Sequence, residues 1–160
     1  MLDTIVLSRE NQWDSAVLPL VRGQVFHVTS QAGLVGFQKD GRIRASSATG
    51  SPKTAFPSRL SVARHYGYTC FFDLRGRVDF NDAMLHPVAS HQEHKQVFYL
   101  LLKPEAWPQL VSNADIIKMS WPEDLKYPLN YVPDYEVCYP GDVPLALIDS
   151  IFRVQLTYDD

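Results

Sequence analysis

A chain of 160 residues with 46% hydrophobic and 12% aromatic residues can bury a real core, and one domain over residues 1–160 is expected. Its 15 Lys and Arg stand against 18 Asp and Glu, a net charge of -3, which excludes general coating of a phosphate backbone. Two cysteines exclude a secreted disulfide framework. With no basic-then-apolar leader at Met1 and no apolar run of bilayer length, the reading is a soluble, cytoplasmic protein without a membrane partner.

In chain order, residues 24–29 read as a strand and residues 31–39 as a helix, with Ser30 as N-cap and Gly41 ending it. Ile43 begins the next segment. Residues 45–57 are rich in Ser, Thr, Gly and Pro and lack an apolar period, so they read as a long loop. A short helix over 58–66, capped by Ser58, presents Leu60, Ala63 and Tyr66 on one side and stops at Gly67.

Residues 68–74 and 96–102 are apolar or aromatic runs of strand length, expected at the centre of a sheet. A helical turn is expected over 107–111 and a short edge strand over 115–119. A strand over 134–139 stops at Pro140-Gly141, a helical turn over 145–149 follows Pro144, and alternation over 151–157 gives a terminal strand. Short strands with few short helices and no βαβ rhythm predict an α+β fold. Cys70 and Cys138 lie within apolar strands, where a free thiol acts as a small hydrophobe, and a disulfide between them stays open.

Several side chains could carry chemistry. His27 ends a strand and is followed by two hydroxyls, Thr29 and Ser30; its imidazole can serve a sugar hydroxyl or simply a structural hydrogen bond. Glu136 is a lone carboxylate at the start of a late strand. Arg42, Arg44, Lys53, Arg59 and Arg64 share an interval without acids, which reads as a basic patch or as an ordinary solvated face. His86, His91 and His94, with Glu93 nearby, could hold zinc for hydrolysis, yet they lack the HExxH spacing and a thiolate, and no metal is assigned to them. There is no glycine-rich phosphate loop and no GxSxG serine.

The stretches VFHVTSQAGLVGFQKDGRIRAS and YEVCYPGDVPLALIDSIFRVQL together resemble the ADP-ribosyltransferase superfamily, including its DarT-like and small toxin-like members. The resemblance covers residues 25–74 and 134–156. It implies a bent, split, antiparallel-rich sheet and a mono-ADP-ribosyltransferase, a glycosyltransferase that takes NAD as substrate. It further implies that His27, Thr29 and Ser30 bind NAD, that Tyr66 stacks on nicotinamide with His65 and Tyr68 as competitors, and that Glu136 is catalytic with an arginine, preferably Arg59. His27 and Glu136 are then expected to line one cleft. The position two before the glutamate, often Glu or Gln in the superfamily, is Asp134, and the acceptor, protein or nucleic acid, is left undetermined. A toxin-like setting would bring an antitoxin-like partner. The alternatives are a non-catalytic binding module on the same fold and the histidine-based metal hydrolase.

Overall fold

Alternating apolar residues in short runs require a sheet with two covered faces, and the computed structural model of the chain describes such a sheet through residues 2–8, 12–45, 63, 66–76, 95–119 and 135–157. Its strands are β1 (Asp3–Leu7), β2 (Val25–Ser30), β3 (Arg42–Ile43), β4 (Thr69–Asp73), β5 (Gln96–Leu102), β6 (Val111–Ser112), β7 (Glu136–Tyr139), β8 (Val143–Pro144) and β9 (Ile148–Leu156). The helices are α1 (Trp13–Ala16), α2 (Leu18–Val21), α3 (Gln31–Asp40) and α4 (Asn113–Met119), with 3-10 turns at Pro104–Gln109 and Leu145–Leu147.

The main sheet runs β1-β9-β5-β2-β4-β7-β6, while β3 and β8 form a separate ladder. Every neighbouring pair is antiparallel except β1 with β9. The fold is thus α+β with a mostly antiparallel sheet and few short helices. Among the described residues, no helix is long and apolar enough to cross a membrane.

Side chains alternate between the two faces of a strand, so each strand feeds two cores. On one face Phe26 and Val28 of β2, Val97 and Tyr99 of β5, Phe152 and Val154 of β9 and Leu7 of β1 pack beneath Trp13, Val17 and Val21 of the α1–α2 segment. Tyr99 and Phe152 stack at 5.0 Å, and the buried Trp13 indole donates to the Tyr99 hydroxyl at 2.8 Å, so this core carries its polar atoms in pairs. On the other face Val25, Phe71, Phe98, Leu100 and Val137 pack under Leu34 and Phe37 of α3 and under Ala106. A smaller cluster of Ala63, Ile116 and Cys138, flanked by Tyr66, Tyr68 and Cys70, covers the β4–β7 end.

The β2–α3 junction follows the sequence expectation closely. The Ser30 hydroxyl accepts from the Gly33 N–H at 3.3 Å, and Gly41, at φ 69°, ends the helix in the left-handed region that glycine adopts without strain. Gly33 has a further reason to lack a side chain, because a Cβ there would strike the hydroxyl of buried Thr29.

One expected element needs correction. Residues 115–119 are not an edge strand but part of α4, and β6 stops at Ser112. The cause is a reciprocal cap: the Ser112 hydroxyl accepts from the Asp115 N–H at 3.1 Å and donates to the Asp115 carboxylate at 2.6 Å, satisfying the first turn of a helix. The two apolar runs, β4 and β5, are central strands as expected, on either side of β2. The N-terminal strand β1 and the pair α1–α2 had no sequence assignment. The expected loop over 45–57 falls outside the described residues beyond Ala45, as does most of the helix over 58–66, of which Ala63 and Tyr66 are described as helical.

Candidate active site

The ladder between β2 and β4 is short, and its early end creates the most unusual contact in the sheet. It is continuous from Leu74, whose N–H donates to the Gln24 carbonyl and whose carbonyl accepts from the Gly23 N–H, through the pairs Val25–Asp73 and Phe26–Phe72, and then stops, whereas β2 pairs with β5 as far as Ser30. One step further the Cys70 carbonyl would ordinarily accept from the Val28 N–H. Instead the His27 imidazole takes it, with Nδ1 at 2.8 Å from that carbonyl oxygen. A carbonyl can only accept, so Nδ1 carries the proton, and in the neutral ring Nε2 is the unprotonated nitrogen. Burial lowers the His27 pKa and the bond to Cys70 partly opposes that shift. The ring keeps some exposed area, but Phe37 and Phe71, each with its centroid 5.7 Å away, provide the apolar surroundings that favour the neutral form.

On the far side of β4, Phe72 faces Glu136 and Cys70 faces Cys138 across the β7 ladder. The Asp73 N–H donates to Tyr135 across the same ladder at 2.7 Å, so the Cys70–Cys138 pair is of the kind that exchanges no backbone bonds, with Cα atoms about 4.5 Å apart. The thiols do not bond each other. Cys70 Sγ donates to Glu136 Oε1 at 2.7 Å, and Cys138 Sγ donates to Asn113 Oδ1 at 2.7 Å. Both cysteines are free, Cys70 half-buried and Cys138 buried. Burial pushes the Cys70 thiol well above the usual range, the charges of Glu136 and of Cys138 add to it, and the bond to Glu136 acts in the same sense. Cys138 is likewise raised, first by burial and then by the Glu136 charge. These thiols therefore remain S–H near neutral pH.

Strand register decides which sequence candidates meet. Phe26, Phe72 and Glu136 lie in one cross-strand line, so Glu136 shares a face with Phe26, Cys70 and Cys138. His27 is one residue out of that line and leaves on the opposite face, toward α3. The expectation that His27 and Glu136 line a single cleft is thereby corrected: they flank the same strand and reach the same residue, Cys70, from opposite faces, which counts against an ADP-ribosyltransferase site with NAD held between the two. On the face of Glu136 lies the small cluster against which Cys70 and Tyr66 pack. Tyr66 and Tyr68, with ring centroids 6.1 Å apart, pack on the small cluster that includes Cys138 and Cys70. Glu136 thus stands where this face changes from the Phe72 side of the large core to the Cys70 side of the small one.

The other candidates have structural occupations or lie elsewhere. Ser30 caps α3 and Thr29 is buried beneath its first turn. Of the basic interval, Arg42 pairs with Asp142 at 3.2 Å and Arg44 with Asp40 at 2.7 Å, as on an ordinary solvated face, and the Asp142 carboxylate also accepts from the Ala45 N–H at 2.7 Å. Lys53, Arg59, Arg64, His65, Asp134 and the histidines His86, His91 and His94 fall outside the described residues. Among the described residues no group of three His, Cys, Asp or Glu is arranged to hold a metal ion.

Asn113 is the polar residue at this end that sequence reasoning missed. It is 1% exposed, and its Nδ2 is the one buried side-chain nitrogen or oxygen among the described residues without a hydrogen-bond partner. No spacing in the sequence marks it, because its proximity to Cys138 comes from α4 folding back over β7. Comparison with protein-family models, curated proteins and solved structures finds no match for this chain.

Proposed function

We propose that the protein is an NAD-dependent ADP-ribosyltransferase whose reacting end lies at the Glu136–Cys70–Tyr66 face. The observation that carries this reading is that Cys70, which bonds the β7 carboxylate, and the Tyr66 ring from the segment before β4 both pack against the same small cluster on one face of the sheet. The resemblance adds to it through Tyr66 and Glu136 alone, since His27, Thr29 and Ser30 hold structural contacts away from this face.

In this reaction the bond between the nicotinamide nitrogen and the anomeric ribose carbon breaks, and its electron pair leaves with nicotinamide, which becomes neutral. The carbon left behind gains oxocarbenium character, which the Glu136 carboxylate stabilises. The acceptor, a protein or nucleic-acid group, then adds at that carbon and loses a proton that a carboxylate can receive. The Tyr66 face suits a ring that is cationic before cleavage. Arg59 is assigned to phosphate or acceptor. In this reading His27 ties β2 to β4 rather than touching the nicotinamide ribose, and a toxin-like role with an antitoxin-like partner belongs to the same reading.

A second reading, a non-catalytic binding module on this fold, is favoured by one specific observation: His27, Thr29 and Ser30 all hold structural contacts. Release of nicotinamide from NAD, measured with and without added nucleic acid or protein acceptor, separates the two. Turnover by the wild-type chain that is lost in Glu136→Gln supports the transferase. NAD binding with no nicotinamide released under either condition rejects it in favour of the binding module.

A further inference from the structure

We propose that Cys70 is the positioning residue for Glu136: its thiol donates to Oε1 and holds the carboxylate in one rotamer at the boundary between the two apolar clusters. This inference rests on the transferase reading, because it assigns Cys70 a part in the work of the same carboxylate.

The geometry carries it. A glutamate has three side-chain torsions, and a carboxylate that must stabilise charge at one carbon loses effectiveness with each rotamer it samples. The donor that limits it has to be rigid itself. Cys70 has a single side-chain torsion and sits in the interior strand β4. Its neighbours Thr69 and Phe71 are held by the β7 ladder, and its own carbonyl oxygen is held by the His27 imidazole. Its thiol lies diagonally across from Glu136, at 2.7 Å from Oε1, while the Phe71 carbonyl, the other acceptor it meets among the described residues, is at 4.0 Å.

Among the described residues, Cys138 donates its own hydrogen bond to Asn113 rather than to Glu136, and the titratable rings packed on the same cluster are the phenols of Tyr66 and Tyr68. With the thiol kept protonated by burial and by the adjacent carboxylate, the donor persists across the neutral range. His27 then acts at one remove, since its imidazole anchors the carbonyl of the residue whose thiol orients the carboxylate.

The test compares Cys70→Ala with Cys70→Ser. Loss of one hydrogen bond to a charged group predicts that Cys70→Ala lowers kcat for nicotinamide release by about tenfold or more with KM for NAD little changed. Serine keeps a donor at the same atom and is expected to restore most of the rate. Full activity in Cys70→Ala, or no rescue by serine, overturns the positioning role.

A spectroscopic arm does not depend on turnover. With Cys138→Ser isolating Cys70, its S–H stretching band should be shifted down in frequency and intensified by the carboxylate, and should move back toward the unbonded position when Glu136→Ala is added. A band unaffected by Glu136 overturns the contact itself. If the wild-type chain releases no nicotinamide while the band does respond to Glu136, the contact stands and it is the transferase reading, with the positioning role assigned to Cys70 in it, that falls.

Discussion

One face of the sheet carries two apolar clusters of different character. Under α1–α2, Phe26, Tyr99, Phe152 and Trp13 form a dense aromatic core in which the Trp13 indole donates to the Tyr99 hydroxyl, a neutral pair. At the β4–β7 end the same face holds two thiols, a carboxylate and an amide among small apolar groups, and one amide nitrogen there has no partner. An aromatic core pins the strands. A cluster with unused polar capacity and a carboxylate at its border is where the same sheet can do chemistry, because preorganised charge needs a rigid frame beside it.

The sharpest way to break this comparison is to damage the stabilising half. Phe26→Ala should cost about 3–5 kcal/mol, read as a lower urea midpoint, since it removes a fully buried ring stacked 5.4 Å from Phe72 and tilted against Tyr99 at 5.5 Å. A cost under about 1 kcal/mol would mean that the aromatic cluster is not the structural anchor.

Glu136→Gln is next. It should lower nicotinamide release by roughly 100-fold or more while the melting temperature changes little. Unchanged turnover in an active protein would remove Glu136 from the chemistry.

Tyr99→Phe tests the stabilising half more gently, leaving the Trp13 indole N–H without its partner. It should cost about 1–3 kcal/mol in chemical unfolding.

The smallest expected effect is a pH slope from His27. Its folded pKa lies below the ordinary 6.5, so above 6.5 the ring is neutral in both states and its contribution to stability is fully present. As the pH falls from 6.5 toward the lowered folded value, the unfolded chain binds the proton first and stability is lost. His27→Gln should flatten that part of a stability-versus-pH curve, and a curve of unaltered slope would show that the imidazole is not held neutral.

Local patterns were legible where local chemistry decides them. The β2–α3 unit could be read from Ser30, Gly41 and the apolar spacing between them, and β5 from its uninterrupted apolar run, because caps and strand propensity act within a few residues. The capping pair Ser112 and Asp115 was also present in the sequence, but the apolar Ile116 beside it suggested an edge strand, and the helix emerged instead. The strand β1 escaped because a five-residue edge gains its stability from a partner, β9, at the other end of the chain.

The sequence by itself determined the α+β class, the β2–α3 unit, the strand runs and the candidate residues His27, Tyr66 and Glu136. Tertiary structure alone decided their relation. A side chain's face is fixed by cross-strand register, and a shift of one residue reverses it. That single step put His27 opposite Glu136 and made Cys70, unremarkable in the sequence except as a buried thiol, the residue that both of them touch.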